Sequence, residues 1–461
     1  MLLLTFFFSL LNSNPQPQTT DSVVVIQQIN ITGNYRTKER IILRELDVAI
    51  SDSLKLDEIE TRLDLNRRKL VNTNLFITTE VRFRKTSEKS VIIDINLLEQ
   101  WYVMGYPVFQ IIDRNYAEWW QRGADFNRTT YGIDFLHNNF RGRAEKLNLR
   151  AELGFIQRVD FSYRIPYIDK AQKTGIGFNL SYSTTKNLAF RSLNDTLFFL
   201  RNQTNALRKR FSAAINIRKR FGFYDNHVAE LRYHNSTIAD TIARLNPDYF
   251  LNNRTSQKFF QFNYFYSYDF RDNVAYALRG NRFEFGFTKL GLFASDDINQ
   301  LDLSAGYYWF KPLSKKFFYG LALKTKISFP DKQPFNVLRG LGYGGDLVRG
   351  YELYVVDGIS HVLMRHNLKF ELLNSKLFLK FLNIKQFNTI PIGVYPNVFF
   401  DYGYVNNPFT SENKSKLANK FLYGGGAGID IVTYYNMVFR FIYVINDRRQ
   451  TNFVFGLGRE F

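Results

Sequence analysis

The stretch FFQFNYFYSYDF, residues 259–270, carries an aromatic ring at every even position: Phe260, Phe262, Tyr264, Tyr266, Tyr268 and Phe270. The odd positions include Gln261, Asn263, Ser267 and Asp269. A period of two belongs to a β-strand whose two faces meet different surroundings. In NRFEFGFTK, Phe283, Phe285 and Phe287 share one face while Arg282, Glu284, Gly286 and Thr288 share the other. EKLNLRAEL and RFSAAINIR repeat the scheme. From Trp101 to Phe461 about sixteen such segments recur, and no helical period persists; an even strand number is what a closed bacterial barrel needs. A soluble sandwich alternates too, but its strands are shorter and its outer face is less aromatic. The pattern predicts a transmembrane β-barrel of about sixteen antiparallel strands over residues 101–461.

Composition supports that class. The chain is 17% aromatic, with 46 Phe and 28 Tyr, yet its mean hydropathy is only −0.26. A helical membrane protein would be more hydrophobic. A barrel reaches this balance because alternate residues face a polar lumen. The absence of cysteine excludes a disulfide framework, a thiolate metal site and a lipid-modified N-terminal cysteine. The net charge of +19 raises nucleic-acid binding. The basic residues, however, are interleaved with aromatics along strands rather than gathered in one patch, so no nucleic acid is expected. A basic lumen, or basic rims facing anionic headgroups, accounts for the charge. The N-terminal MLLLTFFFSLLNSNPQPQTTDS has an apolar run too short to span a bilayer, and residues 1–20 read as a secretory signal.

Residues 22–100 follow other rules. VVVIQQINITGN reads as a strand closed by Gly33, and TKERIILREL as a helix with Thr37 at its N-cap. LDEIETRLDLNRRKLVNT places Leu56, Ile59, Leu63 and Leu70 at helical spacing. LFITTEVRFRK and SVIIDINLLEQ are alternating strands joined by a polar turn at Ser87–Lys89. The order β-α-α-β-β makes a small α+β unit, whose open strand edges are suited to pairing with an extended peptide.

Within the barrel region, GYGGDLVRGYELYVVDG (342–358) puts Arg349 in glycine-rich chain between strands that face lipid. An arginine there requires a partner. Alternation turns Arg365, Asn367, Lys369 and Glu371 inward in VLMRHNLKFEL, and Asn397, Asp401 and Gly403 inward in NVFFDYGYV. In FLYGGGAGIDI the inward set is Gly424, Gly426, Gly428 and Asp430, a wall with room for something to pack on it. The expected construction is a loop around 331–360 folded into the lumen, with Arg349 held between Glu371 and Asp401.

INITGNYRT, IILREL and NTNLFITTEVRF, in that order, resemble a POTRA domain. VRGY followed by KFEL and FFDYG, with NFRGRAEKLNL, YSYDFRDN and the terminal FVFGLGREF, resembles the BamA/TamA superfamily of outer-membrane assembly and secretion barrels. The resemblance covers nearly the whole chain after its leader, with room for a single POTRA domain. It implies that Arg349, Gly350 and Tyr351 form a lumenal-loop motif whose arginine meets acids on the barrel wall, here Glu371 and Asp401. It also implies a seam between the first strand, within WYVMGYPVFQII, and the last, which carries Phe453, Phe455, Gly456, Gly458 and Phe461. Implied partners are unfolded outer-membrane or secreted polypeptides, outer-membrane lipids and periplasmic chaperones, with the POTRA domain in the periplasm of a diderm bacterium.

Little points to bond-making chemistry. No G-x-S-x-G elbow or H-E-x-x-H occurs, and the histidines (137, 227, 234, 361 and 366) are scattered. The runs GLGYGG and YGGGAG do not open a helix after a strand, as a nucleotide fingerprint must. No enzyme activity, metal or cofactor is expected. The leading function is insertion or translocation of polypeptides; a lipid-handling or structural barrel and a passive channel remain the alternatives.

Overall fold

A computed structural model describes residues 23–111, 126, 129–202, 204–379, 389–433 and 437–457. The leader expected at 1–20 lies outside them.

The N-terminal unit contains β1 (Val23–Thr32), α1 (Glu39–Leu43), β2 (Ser53–Lys55), α2 (Ile59–Asn72), β3 (Phe76–Ser87) and β4 (Ser90–Glu99). Its sheet runs β2-β1-β4-β3, with β1 and β4 parallel and the other pairs antiparallel. Alternation decides which faces are buried. Val24 and Ile26 from β1, and Val91, Ile93 and Ile95 from β4, meet Ile41, Ile42, Ile59, Leu63 and Leu70 from the helices. Two details differ from the sequence reading. A three-residue strand, β2, interrupts the helical stretch. In addition, α1 starts later than its capping signal suggested, with Lys38 at the N-cap. The Thr37 hydroxyl is engaged elsewhere: it lies 2.9 Å from the Tyr102 hydroxyl and accepts a hydrogen bond from Asn139 at 2.9 Å. Tertiary contacts outcompeted the local cap.

The barrel begins with β5 (Val103–Ile111), β6 (Thr129–Phe140), β7 (Glu145–Gly154), β8 (Ile156–Ile165) and β9 (Thr174–Thr185). A hairpin outside the wall follows, β10 (Asn187–Leu193) and β11 (Thr196–Arg201). The wall resumes with β12 (Arg208–Lys219) and β13 (Asp225–Ile238), then, after α3 (Asp240–Leu245), β14 (Ser256–Asp269), β15 (Gly280–Leu290), β16 (Gln300–Pro312) and β17 (Phe317–Phe329). It ends with β18 (Ser360–Phe370), β19 (Leu373–Phe378), β20 (Thr389–Asn406), α4 (Thr410–Asn413), β21 (Phe421–Thr433), β22 (Met437–Asn446) and β23 (Thr451–Leu457). These wall segments form a closed antiparallel barrel in which β23 lies beside β5. Of its seventeen segments, β18 and β19 both pair along β20, so they make one interrupted stave and the barrel has sixteen.

Alternation sorts the faces as the sequence suggested. Phe283, Leu323, Val362, Phe400 and Tyr443 are exposed on the outside, whereas Tyr308, Arg365, Asn367, Lys369 and Asp401 are buried on the inside.

The N-terminal unit sits against four consecutive turns of one barrel rim. Lys38 N–H donates to the Gly142 carbonyl at 2.9 Å, and Arg44 donates to the Gln172 carbonyl and to the Tyr167 hydroxyl at 2.5 and 2.8 Å. Arg220 grips Glu45 through two bonds of 2.9 Å, and Asn72 accepts from Val274 N–H at 3.2 Å. Only Gln100, Trp101 and Tyr102 separate β4 from β5. Tyr102 is 3% exposed within the core of the N-terminal unit and donates to the Leu75 carbonyl. At the opposite rim the β10–β11 hairpin and α3 close over the lumen. Leu188, Phe190, Ile242, Tyr249, Phe250 and Phe335 form their common core.

Candidate functional site: a loop seated on the inner wall

The connection from β17 to β18, residues 330–359, turns back into the barrel. Its seat is hydrophobic: Leu341, Val348, Tyr351 and Val356 from the loop pack with Leu363, Val405 and Leu422 from the wall. The charged contact lies within this seat. Arg349 is 7% exposed and Asp401 is fully buried. Arg349 Nε donates to Asp401 Oδ2 at 2.7 Å and Nη2 to Oδ1 at 2.5 Å, a two-pronged pairing that fits a planar fork to a carboxylate. The backbone N–H of Arg349 adds a third bond to Asp401 at 3.1 Å. The guanidinium also lies 3.8 Å from the centre of the Phe399 ring, which covers its remaining face.

The expected second acid is not there. Glu371 accepts from Asn374 at 3.1 Å and from Tyr395 at 3.4 Å, near the rim that carries the N-terminal unit. Strand register is the reason: Arg365 is paired directly with Asp401, and Glu371 lies six residues further along, on the order of 20 Å at 3.3 Å per residue. Arg365 takes the place assigned to Glu371, but as a second cation. Its Nη2 donates to the Gly345 and Leu347 carbonyls at 2.7 and 2.5 Å, while its Nε lies 3.8 Å from Asp401. One buried carboxylate therefore serves two arginines, one from the loop and one from the wall. The sequence had placed Arg365 on the inner face; only the register was missing.

The rest of the motif ties the loop to the last staves. Gly350 has φ +100°, a left-handed conformation that favours glycine, and its carbonyl accepts from Asn446 at 2.9 Å. The Tyr351 hydroxyl donates to Asp447 in the turn between β22 and β23. Further along the loop, Asp357 accepts from Tyr343 and from Ser192 of the hairpin, and Lys324 on the wall meets Asp346 at 2.8 Å.

The three wall glycines divide. A Cβ at Gly424 would stand 1.8 Å from the Arg349 carbonyl oxygen, so the loop backbone lies directly on this position. Gly426 makes room for Phe399, the ring beneath the guanidinium, at 2.9 Å. Gly428 faces Ile442 and Phe441 of the neighbouring stave and does not touch the loop. Gly403, which alternation had also turned inward, does: a Cβ there would meet Leu341 and Val348 at 2.7 Å. On the last strand, Phe453 and Phe455 are 66% and 57% exposed on the lipid side, and a Cβ at Gly456 would meet only Arg440, at 3.9 Å. Gly458 and Phe461 lie outside the described residues. No group of metal-ligating side chains occurs among the described residues.

A sixteen-stave barrel with an inward loop pinned through an arginine, and a small α+β unit against one rim, defines a transmembrane β-barrel whose lumen holds its own chain. The chain belongs to the Omp85 superfamily: the Omp85 superfamily domain matches residues 139–461. Barrels of that superfamily are outer-membrane proteins. The fold is similar to CdiB from Escherichia coli, with TM-score 0.56 at 13% identity over 95% of this chain and 76% of that one. It is also similar to BamA from Haemophilus ducreyi lacking POTRA domains 1-3, with TM-score 0.54 at 15% identity over 94% and 84%. No curated protein is recognisably similar in sequence.

Proposed function

We propose that the protein inserts polypeptides into, or passes them across, the outer membrane. Its N-terminal unit acts as a POTRA domain in the periplasm that receives the client. The barrel acts at its seam, where β5 and β23 part and offer paired edges to a client strand. The observation that carries this reading is the seating of the 330–359 loop. Arg349, Gly350 and Tyr351 tie it to β20 and to the β22–β23 turn, so the loop lies inside the lumen and braces the staves on one side of the seam. A loop seated inside the barrel narrows the lumen, which argues against a wide passive pore.

Depletion of the protein in its native host, followed by quantitative proteomics of the outer membrane, tests the proposal. A broad fall in β-barrel proteins fits a general insertion factor, and loss of one or a few surface or secreted proteins fits a dedicated translocator. An unchanged protein profile with altered lipid composition would replace the polypeptide client with a lipid one. Because the chain has no cysteine, engineered pairs report cleanly. A disulfide across β5 and β23 should block activity until reduced. One between Tyr443→Cys and Phe453→Cys, paired within the β22–β23 hairpin, should not.

A further inference from the structure

Between the N-terminal unit and the barrel rim lies a cleft of about 330 Å³. Its acids are already engaged: Glu45 is gripped by Arg220 and Arg44, and Asp269 by Arg271 through two bonds of 2.7 Å. Of the other cations that line it, Lys69 comes from α2, and Lys146 and Arg164 come from the inner wall. Lys146 on β7 is paired in register with Arg164 on β8, so the two stand side by side. Arg164 is paired in turn with Gly177 on β9, and the neighbouring Gly175 with Arg218 on β12. Neither glycine carries a side chain of its own, and the Asn216 amide lies over Gly177.

Among the described residues, neither Arg164 nor Arg218 has a carboxylate within ion-pair distance, and the Arg218 Nε is buried without a hydrogen-bond partner. Both side chains are half-buried. Glu230, whose charge acts on Arg218, is itself held by Arg232 at 2.9 Å, so two arginines of one wall, partly shielded from water, favour an anion from outside. Aromatic side chains, Tyr167, Phe223 and Tyr224, line the same cleft.

We infer that this cleft binds an acidic segment of an extended polypeptide, whose carboxylates pair with Arg164 in the lining while Arg218, on the wall beyond it, adds to the positive field. The choice of a polypeptide rests on the function proposed above. The cleft opens between the receiving unit and the lumen, not on the lipid-facing side, so a client leaving the N-terminal unit meets it first. Guanidinium forks recognise carboxylates through paired bonds, and each pair adds both affinity and orientation.

The test uses the full chain in nanodiscs and a fluorescent peptide of alternating glutamate and tyrosine, compared by anisotropy with its glutamine counterpart. The acidic peptide should bind at least about tenfold more tightly, with an advantage that shrinks as salt rises. Arg164→Gln and Arg218→Gln should remove that advantage while leaving binding of the glutamine peptide unchanged. Equal binding of the two peptides by the wild-type protein would overturn the inference, and that comparison needs no variant to fold. Retention of the preference in the doubly substituted protein would overturn it as well. If depletion alters the outer-membrane protein profile but no acidic preference is found, this inference fails and the proposed function stands. An acidic preference without any change in the protein profile would mean the reverse.

Discussion

Arg349 has a full set of partners and no spare solvent, and this gives its replacement a definite sign. Arg349→Ala leaves Asp401 buried with only Arg365 at 3.8 Å, and should cost about 3–5 kcal/mol of barrel stability, read as a lower unfolding midpoint in urea. Asp401→Asn strands two arginines and should cost at least as much. Glu371→Gln, by contrast, should change stability by less than about 0.5 kcal/mol, since Glu371 is part-exposed and remote from Arg349. The inward aim of Asp401, Arg365 and Glu371 was legible from the two-residue period alone. Which acid meets Arg349 was not. That depends on the register of β18 against β20, set through a connection whose length and turns no local pattern encodes. Thr37 is the same lesson in reverse: its local pattern advertised a helix cap, and a contact with Asn139, about a hundred residues away, claimed the hydroxyl.

At the scale of elements, the loop and its glycine seat act as one unit. Gly424→Ala places a methyl where the Arg349 carbonyl lies and should lift the loop from the wall, exposing residues 330–359 to limited proteolysis. Gly456→Ala, whose Cβ would meet only Arg440 at 3.9 Å, should leave the cleavage pattern unchanged. Because Gly424→Ala and Arg349→Ala disturb the same seat, their combined cost should fall short of the sum of the two; full additivity would show that the contacts are independent. The wall strands were readable because lipid outside and polar lumen inside enforce alternation on each of them. The β10–β11 hairpin was not. Its residues alternate as wall strands do, and only its packing on α3 separates it from the barrel.

At the scale of the whole molecule, the question is how firmly the N-terminal unit holds the rim. Burial of Glu45 would by itself raise its carboxyl pKa, but Arg220 and Arg44 outweigh that and hold it below the ordinary value of 4.5. A depressed acid contributes its stability above the unfolded value and loses it as pH falls through the folded one. The interface should therefore be intact at and above pH 4.5 and loosen only below it. Spin labels on α2 and on the 220–224 turn should report a single distance at neutral pH and a broadened one in stronger acid. Glu45→Gln should show the broad distribution already at neutral pH. A distance that is unchanged by both would remove this clamp from the account. The division into a small unit and a barrel was legible because helical period stops near Trp101; the docking was not, since it joins Glu45 to Arg220 across 175 residues.

The linker between the two parts has mechanical meaning. Three residues offer about 10 Å of chain at full stretch, and Tyr102 is anchored in the core of the unit that precedes it. There is no slack to absorb a tilt. A pull on the N-terminal unit would load β5 directly, and β5 is the neighbour of the last strand, β23. If the proposed function holds, a stiff lever of this kind would turn the capture of a chain into strain on the junction of β5 and β23.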